Sequence, residues 1–232
     1  MGSRRSTYHR HRFPPEIISH AVWLYYRFAL SFRDVEDLLA KRGVTVTYES
    51  IRQWCGKFGR GYARRLRRRQ GRLGDTWYLD EVFVTIRGRR QYLWRAVDQE
   101  GDVLDILVQP RRDARAAARF FRKLLKGQGA GPRLLVTDKL RSYGTARRVV
   151  MASVRHDTRQ YANNRAEVSH QPTRQRERQM RRFKSPGQAQ RFLSIHGVIQ
   201  NLFRIGRHLL QAAHHRMFRQ RAFGVWAEVT CA

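Results

Sequence analysis

Apolar positions recur at helical spacing up to about residue 72, and after that point they alternate or run together as they do in strands. The first predicted helix begins after Pro14 and Pro15, and a capping box of Ser31 with Asp34 begins the second. Gly43 ends the second helix as a C-terminal glycine does. The apolar face of the first helix comprises Ile17, Ile18, Ala21, Val22, Leu24, Tyr25 and Phe28.

A third helix is predicted after Thr47, which can cap it. Its inner face is Ile51, Trp54, Cys55 and Phe58, and its outer face carries Tyr48, Glu49, Arg52, Gln53 and Lys57. Short helices with a tight bend before the last indicate a helix-turn-helix, whose last helix enters the major groove of DNA. Arg52 and Gln53 have the chemistry to meet base edges there, and Lys57 lies on the same outer face. A plain three-helix bundle gives the same pattern.

From residue 76 onward, β-branched and aromatic runs predict strands at 77–86, 91–97 and 103–108, joined by tight turns. A helix capped by Asp113 follows, and Leu134-Leu135-Val136-Thr137 predicts a short buried strand. Three strands, a helix and a buried strand are the opening order of an RNase H-like domain. The predicted fold class is therefore α/β, with a helix-turn-helix followed by an RNase H-like mixed-sheet domain.

Charge adds a partner to this picture. The chain has 48 basic against 18 acidic residues, for a formal charge of +30, and most of the excess is arginine. The planar guanidinium suits phosphate, which favours a nucleic-acid partner. A ribosomal or chromatin-like packing protein is the alternative, and the many aromatic residues in a patterned core disfavour it. One arginine-rich run can be a solvated helix face, but we favour a linker that binds phosphates without reading sequence. Its residues are Arg64, Arg65, Arg67, Arg68 and Arg69.

Other classes are disfavoured. Cys55 and Cys231 do not make a disulfide framework or a zinc site, and no apolar run is long enough to span a membrane. The N-terminus does not resemble a secretory signal, so we expect a cytoplasmic protein associated with the nucleoid. The predicted segments are a basic tail at 1–13, a helix-turn-helix domain at 14–63, an arginine-rich linker at 64–75, an RNase H-like domain at 76–204 and a basic helical tail at 205–232.

Two acidic residues, Asp80 and Asp138, lie at positions that structural roles explain poorly. Asp80 is in the middle of the first strand, where a buried carboxylate is costly unless a positive group answers it. Glu81 is beside it, and the pattern alone does not decide which of the two faces a site. Asp138 directly follows the buried strand, the usual place for active-site groups in an open α/β sheet, although it can also cap the next helix. Asp98, in a turn, needs only solvent.

Glu167 stands at the head of a basic segment, where it would repel a polyanion. Asn164 and Glu167 have the spacing of a capping box, which would explain the residue without chemistry. Glu167, His170 and Arg174 also share a helical face, although Pro172 should kink that helix. Carboxylates are the ligands that hard divalent cations prefer, and such cations serve phosphodiester cleavage. Asp80, Asp138 and Glu167 are therefore the candidate metal ligands.

The sequence resembles the IS-six family of bacterial insertion-sequence transposases, which join a helix-turn-helix to a DDE catalytic core. The stretches that carry the resemblance are His-Arg-Phe-Pro-Pro-Glu-Ile-Ile-Ser-His, Ser-Phe-Arg-Asp-Val-Glu-Asp-Leu-Leu, Thr-Trp-Tyr-Leu-Asp-Glu-Val-Phe-Val, Tyr-Leu-Trp-Arg-Ala-Val-Asp-Gln-Glu-Gly, Thr-Asp-Lys-Leu-Arg-Ser-Tyr and Asn-Asn-Arg-Ala-Glu. It implies that Asp80, Asp138 and Glu167 are the catalytic, metal-binding triad, and that Arg174, seven positions after the glutamate, lies near DNA.

The resemblance further implies two Mg²⁺ ions, with Mn²⁺ as a substitute, and nicking of DNA at terminal inverted repeats. The freed 3′-hydroxyl would then attack target DNA, in a replicative pathway through cointegrates, by a homodimer or larger assembly. The spacing from Asp138 to Glu167 is shorter than the commonest one in the family, as a shortened loop would make it. Two other classes stay open: a non-catalytic helix-turn-helix regulator, and an RNase H-like nuclease without strand transfer.

Overall fold

The structure, a computed structural model, describes residues 7–71, 73–159, 162–206 and 210–231. Residues 1–6 of the predicted N-terminal tail and Arg72 of the predicted linker lie outside that part. The chain divides into two compact units, one of residues up to Arg69 together with Leu202 onward, and one of Gln70–Asn201. The elements are α1 (Pro15–Arg27), α2 (Phe32–Ala40), α3 (Tyr48–Arg69), β1 (Thr76–Ile86), β2 (Arg89–Val97), β3 (Val103–Gln109), α4 (Ala114–Gln128), β4 (Leu134–Val136), α5 (Arg141–Val150), β5 (Arg155–Asp157), α6 (Asn164–Ser169), α7 (Gln171–Gln179), α8 (Pro186–Phe203) and α9 (Ala212–Cys231).

The first helices begin and end where local chemistry predicts. Ser31 accepts a hydrogen bond from the Asp34 amide, and Asp34 accepts one from the Ser31 amide, so the predicted capping box is confirmed. Gly43 follows α2 with φ of +76°, a left-handed conformation that glycine adopts without strain. Thr47 Oγ1 accepts from the Ser50 amide at 3.3 Å and so caps the start of α3.

The arginine-rich run predicted as a linker is helical up to Arg69, because α3 continues through it. The reason lies in its apolar positions. Tyr62, Ala63 and Leu66 are buried and continue the stripe that begins at Ile51, so the helix gains core contacts along its whole length. The arginines occupy the remaining faces.

The helix α9, predicted as part of a separate basic tail, packs with α1 and α3 in the first unit. Its buried residues Ala222, Trp226 and Val229 recur at helical spacing. The Tyr8 hydroxyl hydrogen bonds to both the Tyr62 hydroxyl and the backbone carbonyl of Thr230, which joins the N-terminal segment, α3 and α9. Each helix in the part of the chain that the structure describes is too short or too polar to span a bilayer.

The second unit is built on a five-stranded mixed sheet in the order β3-β2-β1-β4-β5. The strands β1, β2 and β3 form an antiparallel meander, whereas β4 pairs parallel with both β1 and β5. The helix α4 begins at an Asp113 cap and crosses between β3 and β4. The predicted order of three strands, helix and buried strand is therefore confirmed, and the domain is an RNase H-like α/β fold.

The two faces of β1 carry different chemistry because successive side chains in a strand point to opposite faces. Trp77 and Leu79 are buried in the core, with Phe120 and Phe121 of α4 and Tyr143 of α5. The alternate face includes Tyr78, Asp80 and Val82, and the Arg165 guanidinium of α6 lies 5.7 Å from the centre of the Tyr78 ring. The sheet thus separates an apolar side from a polar side that α6 covers.

Asp98 does not have the solvated role expected of a turn acid. It is 2% exposed and accepts hydrogen bonds from the amides of Glu100, Asp102 and Gly74 at 3.0, 2.8 and 3.1 Å. Several donors on one carboxylate offset the cost of burying it. Asp98 therefore organises the turn between β2 and β3.

Candidate active site

Asp80 lies on the polar face of β1, with its side chain 14% exposed. The His170 Nε2 atom is 3.4 Å from Asp80 Oδ2, within ion-pair distance but without the alignment of a hydrogen bond. Burial lowers the pKa of His170, and the neighbouring Asp80 acts in the opposite direction. Asp80 therefore has one imidazole as its close neighbour.

Asp138 leaves the sheet beside Asp80. Tyr78 of β1 pairs with Val136 of β4 in parallel register, and each aspartate lies two residues beyond that pair. Asp138 Oδ1 accepts a hydrogen bond from the Leu140 amide at 3.0 Å. Leu140 is the N-cap of α5 and makes no side-chain cap, so the predicted alternative of Asp138 as the cap of that helix is wrong. The parallel register brings both aspartates to the same end of the sheet.

Glu167 is carried by α6, and the neighbouring asparagine fixes that helix to β1. The side chain of Asn163 donates to the Leu79 carbonyl at 2.8 Å, one residue before Asp80. The capping box predicted for Asn164 with Glu167 is wrong, because Asn163 is the N-cap and makes no side-chain cap bond. Glu167 is exposed, so neither capping nor burial explains a carboxylate at this position.

The predicted kink before Pro172 is present, because α6 ends at Ser169 and α7 begins at Gln171 with proline in its first turn. Glu167, His170 and Arg174, predicted to share a face, all line one open pocket of about 620 Å³. The Arg174 guanidinium lies 5.7 Å from the Phe83 ring centre and 3.5 Å from Glu177, and its side chain is 41% exposed. A carboxylate and a cation thus face the same pocket.

Glu81 lies on the core face of β1, opposite Asp80. The sequence pattern did not decide which of these two acids is turned away from the core, and the structure shows that it is Asp80. Its side chain is fully buried, and its two oxygens accept hydrogen bonds from Arg112 Nε and the Tyr143 hydroxyl. Burial raises the pKa of Glu81, against the effect of these two donors. Alternation with Trp77 and Leu79 was the sequence signal for this inward orientation. Nothing in the sequence predicted Arg112 as its partner.

The donor set fits a hard divalent cation in kind. Asp80, Asp138 and Glu167 offer carboxylate oxygens, and Asp80 and Asp138 share one end of the sheet. Among the described residues, no three acidic, histidine or cysteine side chains are close enough to form a ready metal cluster. Because carboxylates repel one another at short range, these three side chains do not come close together on their own.

The residues predicted to read bases lie exposed on α3, where one acid engages them. Glu49 accepts two hydrogen bonds from Arg52, at 2.6 and 2.8 Å, and one from Gln53 at 3.3 Å. The Lys57 ammonium is 2.7 Å from His11 Nε2. These exposed contacts are weak because solvent screens them.

Two members of the arginine run on α3 contact α9. Arg65 Nε donates to the Val229 carbonyl of α9 at 2.6 Å, and Arg69 forms an ion pair with Glu228. Arg64, Arg67, Arg68 and Arg69 are exposed. Part of the run predicted to bind phosphates therefore has a structural role in the first unit.

Comparison with known proteins agrees with this geometry. A family model described as a DDE domain matches residues 74–205, more than half of the chain and the range that contains all three candidate carboxylates. The transposase for insertion sequence element IS257 in transposon Tn4003 of Staphylococcus aureus is 30% identical over 86% of this chain and 90% of its own length. The transposase for insertion sequence-like element IS431mec of S. aureus strain Mu50 matches to the same extent.

Among solved structures, the HTLV-2 integrase catalytic core domain in complex with magnesium aligns over 62% of this chain and 94% of its own, with a TM-score of 0.43 and 12% identity. The chain belongs to the IS-six family of DDE transposases, enzymes that cleave DNA and transfer its strands.

Proposed function

We propose that this protein binds the terminal inverted repeats of its insertion sequence and cuts and joins DNA with Asp80, Asp138 and Glu167 as its catalytic residues. One observation carries the assignment. The parallel pairing of β1 with β4 places Asp80 and Asp138 at the same end of the sheet. The side chain of Asn163 bonds to Leu79, the residue before Asp80, and so holds the helix that carries Glu167 against β1. The pocket lined by Glu167 and by His170, the neighbour of Asp80, also contains Arg174, a cation suited to a DNA phosphate.

The three carboxylates would hold divalent metal, which we propose to be two Mg²⁺ ions with Mn²⁺ as a substitute. When bound, such ions neutralise charge on the scissile phosphate and make water and a 3′-hydroxyl more acidic. The chain's own residues supply the rest. Arg174 would hold the phosphate, and His170, whose Nε2 atom is 3.4 Å from Asp80 Oδ2, would help to orient that carboxylate.

Recognition of the element's ends is assigned to the first unit. Arg52, Gln53 and Lys57 would meet the major groove from α3, while Arg64, Arg67 and Arg68 would contact phosphates. Arg65 and Arg69 would contribute less, because α9 engages both. Two ends must be held together for strand transfer, so a homodimer or larger assembly on DNA is proposed, acting at the bacterial nucleoid in the cytoplasm.

The test compares the full chain with Asp80→Asn and Glu167→Gln on labelled element ends and a target plasmid in Mg²⁺. We expect all three proteins to bind the ends equally and only the unmodified chain to nick and join them. Glu100→Gln, an exposed acid in the β2–β3 turn, is the matched control and should leave joining unchanged. Joined products in which the element end is still attached to its donor flank through the uncut strand would support the replicative pathway.

The rival classes predict other outcomes in the same assay. A regulator would bind DNA in every variant and cut in none, whereas a nuclease would nick but never join strands. If Asp80→Asn joins strands as fast as the unmodified chain, the triad assignment is wrong.

A further inference from the structure

Arg112, in the segment between β3 and α4, contacts two carboxylates, one on β1 and one just beyond β4. Its Nε atom donates to Glu81 of β1, and its Nη2 atom lies 3.7 Å from Asp138 Oδ2, just beyond β4. The planar guanidinium makes this possible because its nitrogens point in fixed, different directions. Lysine, with a single ammonium group, would not reproduce the bridge.

Arg112 thus bridges Glu81 and Asp138, and the Glu81 end of this bridge is fully buried. Glu81 has no side-chain exposure, and a buried carboxylate is costly unless donors answer it. The donors are Arg112 and the hydroxyl of Tyr143, which is itself buried in the core of α4 and α5. The next residue along, Asp113, caps α4 through the Ala116 amide at 2.8 Å and so fixes the backbone beside Arg112. Both the side chain and the backbone of Arg112 are therefore held.

The other end of the bridge faces the candidate site. Asp138 has its Oδ1 atom held by the Leu140 amide at 3.0 Å, and Arg112 faces its Oδ2 atom. A carboxylate oxygen has two lone pairs, so these contacts leave positions open for further ligands. Two fixed partners on opposite oxygens restrict the rotation of the carboxyl group.

We propose that Arg112, anchored by Glu81 and Tyr143, is a positioning residue that orients Asp138 for binding divalent metal. The inference rests on the proposed role of Asp138 in the triad. Orienting groups of this kind are worth about 10- to 100-fold in metal affinity when lost. The neighbouring Arg111 is exposed and is not part of the bridge, which makes it the matched control.

The experiment measures Mn²⁺ binding to the full chain without DNA, by the loss of the free-ion signal in electron paramagnetic resonance. The variants Arg112→Lys and Tyr143→Phe keep the net charge, so a change in affinity cannot come from a lost charge near the metal. We expect Arg112→Lys to bind Mn²⁺ about tenfold more weakly and to need a correspondingly higher Mn²⁺ concentration for joining, with DNA affinity unchanged. Tyr143→Phe should shift in the same direction by less, and Arg111→Lys should not shift.

Coupling to Asp138 separates positioning from a general structural effect. In the double variant Arg112→Lys with Asp138→Asn, Mn²⁺ affinity should be no lower than in Asp138→Asn alone, because the bridge then has nothing to orient. Unmodified Mn²⁺ affinity in a folded Arg112→Lys protein would overturn the proposal, and so would additive losses in the double variant. If Asp80→Asn and Glu167→Gln abolish joining while Arg112→Lys leaves metal binding unchanged, the inference fails and the proposed function stands. If those two triad variants bind Mn²⁺ and join normally, the proposed function itself fails.

Discussion

Asn163 and Asn164 are adjacent, chemically identical and differently placed, so they provide a sharp test of how Glu167 is positioned. The Asn163 amide donates to the Leu79 carbonyl at 2.8 Å and the residue is 4% exposed, whereas Asn164 is exposed on the first turn of α6. Asn163→Ala removes a buried hydrogen bond worth about 0.5–1.5 kcal/mol and leaves the Leu79 carbonyl without this donor. It also removes Asn163 Oδ1, a buried oxygen with no partner among the described residues, which offsets part of the loss.

The net destabilisation should be about 1 kcal/mol, which for a unit of this size lowers Tm by about 3–4 °C. The effect on catalysis should be larger, because a displacement of about 1 Å in a positioned group costs on the order of 100-fold in rate. Thermal unfolding and strand-transfer rates at saturating DNA measure the two effects, and DNA affinity should not change. Asn164→Ala should alter none of them. Equal losses in the two variants, or normal joining by Asn163→Ala, would refute the account of α6 as a helix fixed through Asn163.

Other consequences can be measured on the same protein. Ser31→Ala should lower stability by about 1 kcal/mol in thermal unfolding, because the α2 cap is lost. Asp34→Ala breaks the other half of the capping box and should act in the same direction. Unchanged stability in either variant would contradict the capping box. Trp94→Ala should cost about 3–5 kcal/mol in denaturant unfolding, because this large side chain is fully buried beneath the sheet, and a loss below 1 kcal/mol would mean that the core is packed differently. Arg64→Gln should reduce the salt dependence of DNA binding by about one phosphate contact without changing Tm. Arg65→Gln should lower Tm, because Arg65 bonds to α9. The opposite pattern would show that the roles of Arg64 and Arg65 are assigned wrongly.

Local chemistry in the sequence was sufficient for several helix ends and for the order of elements from β1 to β4. The capping box at Ser31 and the cap at Asp113 depend on residues only a few positions apart, so the sequence already contains both partners. The same reasoning failed at Asn164, where the spacing of a capping box is present but the backbone places Asn163 at the cap. The Asn163 side-chain amide donates to the Leu79 carbonyl of β1, and no local sequence pattern contains that partner.

The sequence by itself determined the motif-borne carboxylates Asp80, Asp138 and Glu167, the alternation of β1 and the excess of arginine, because each is a property of residue types and short spacings. Only the tertiary structure decided which face each acid occupies and what holds it. Asp80 and Glu81 are neighbours in the chain, yet the pleat sends one towards α6 and the other into the core, where Arg112 and Tyr143 answer its charge. Those partners lie 31 and 62 residues away, and such distant pairings arise from how strands and helices pack rather than from any local sequence pattern.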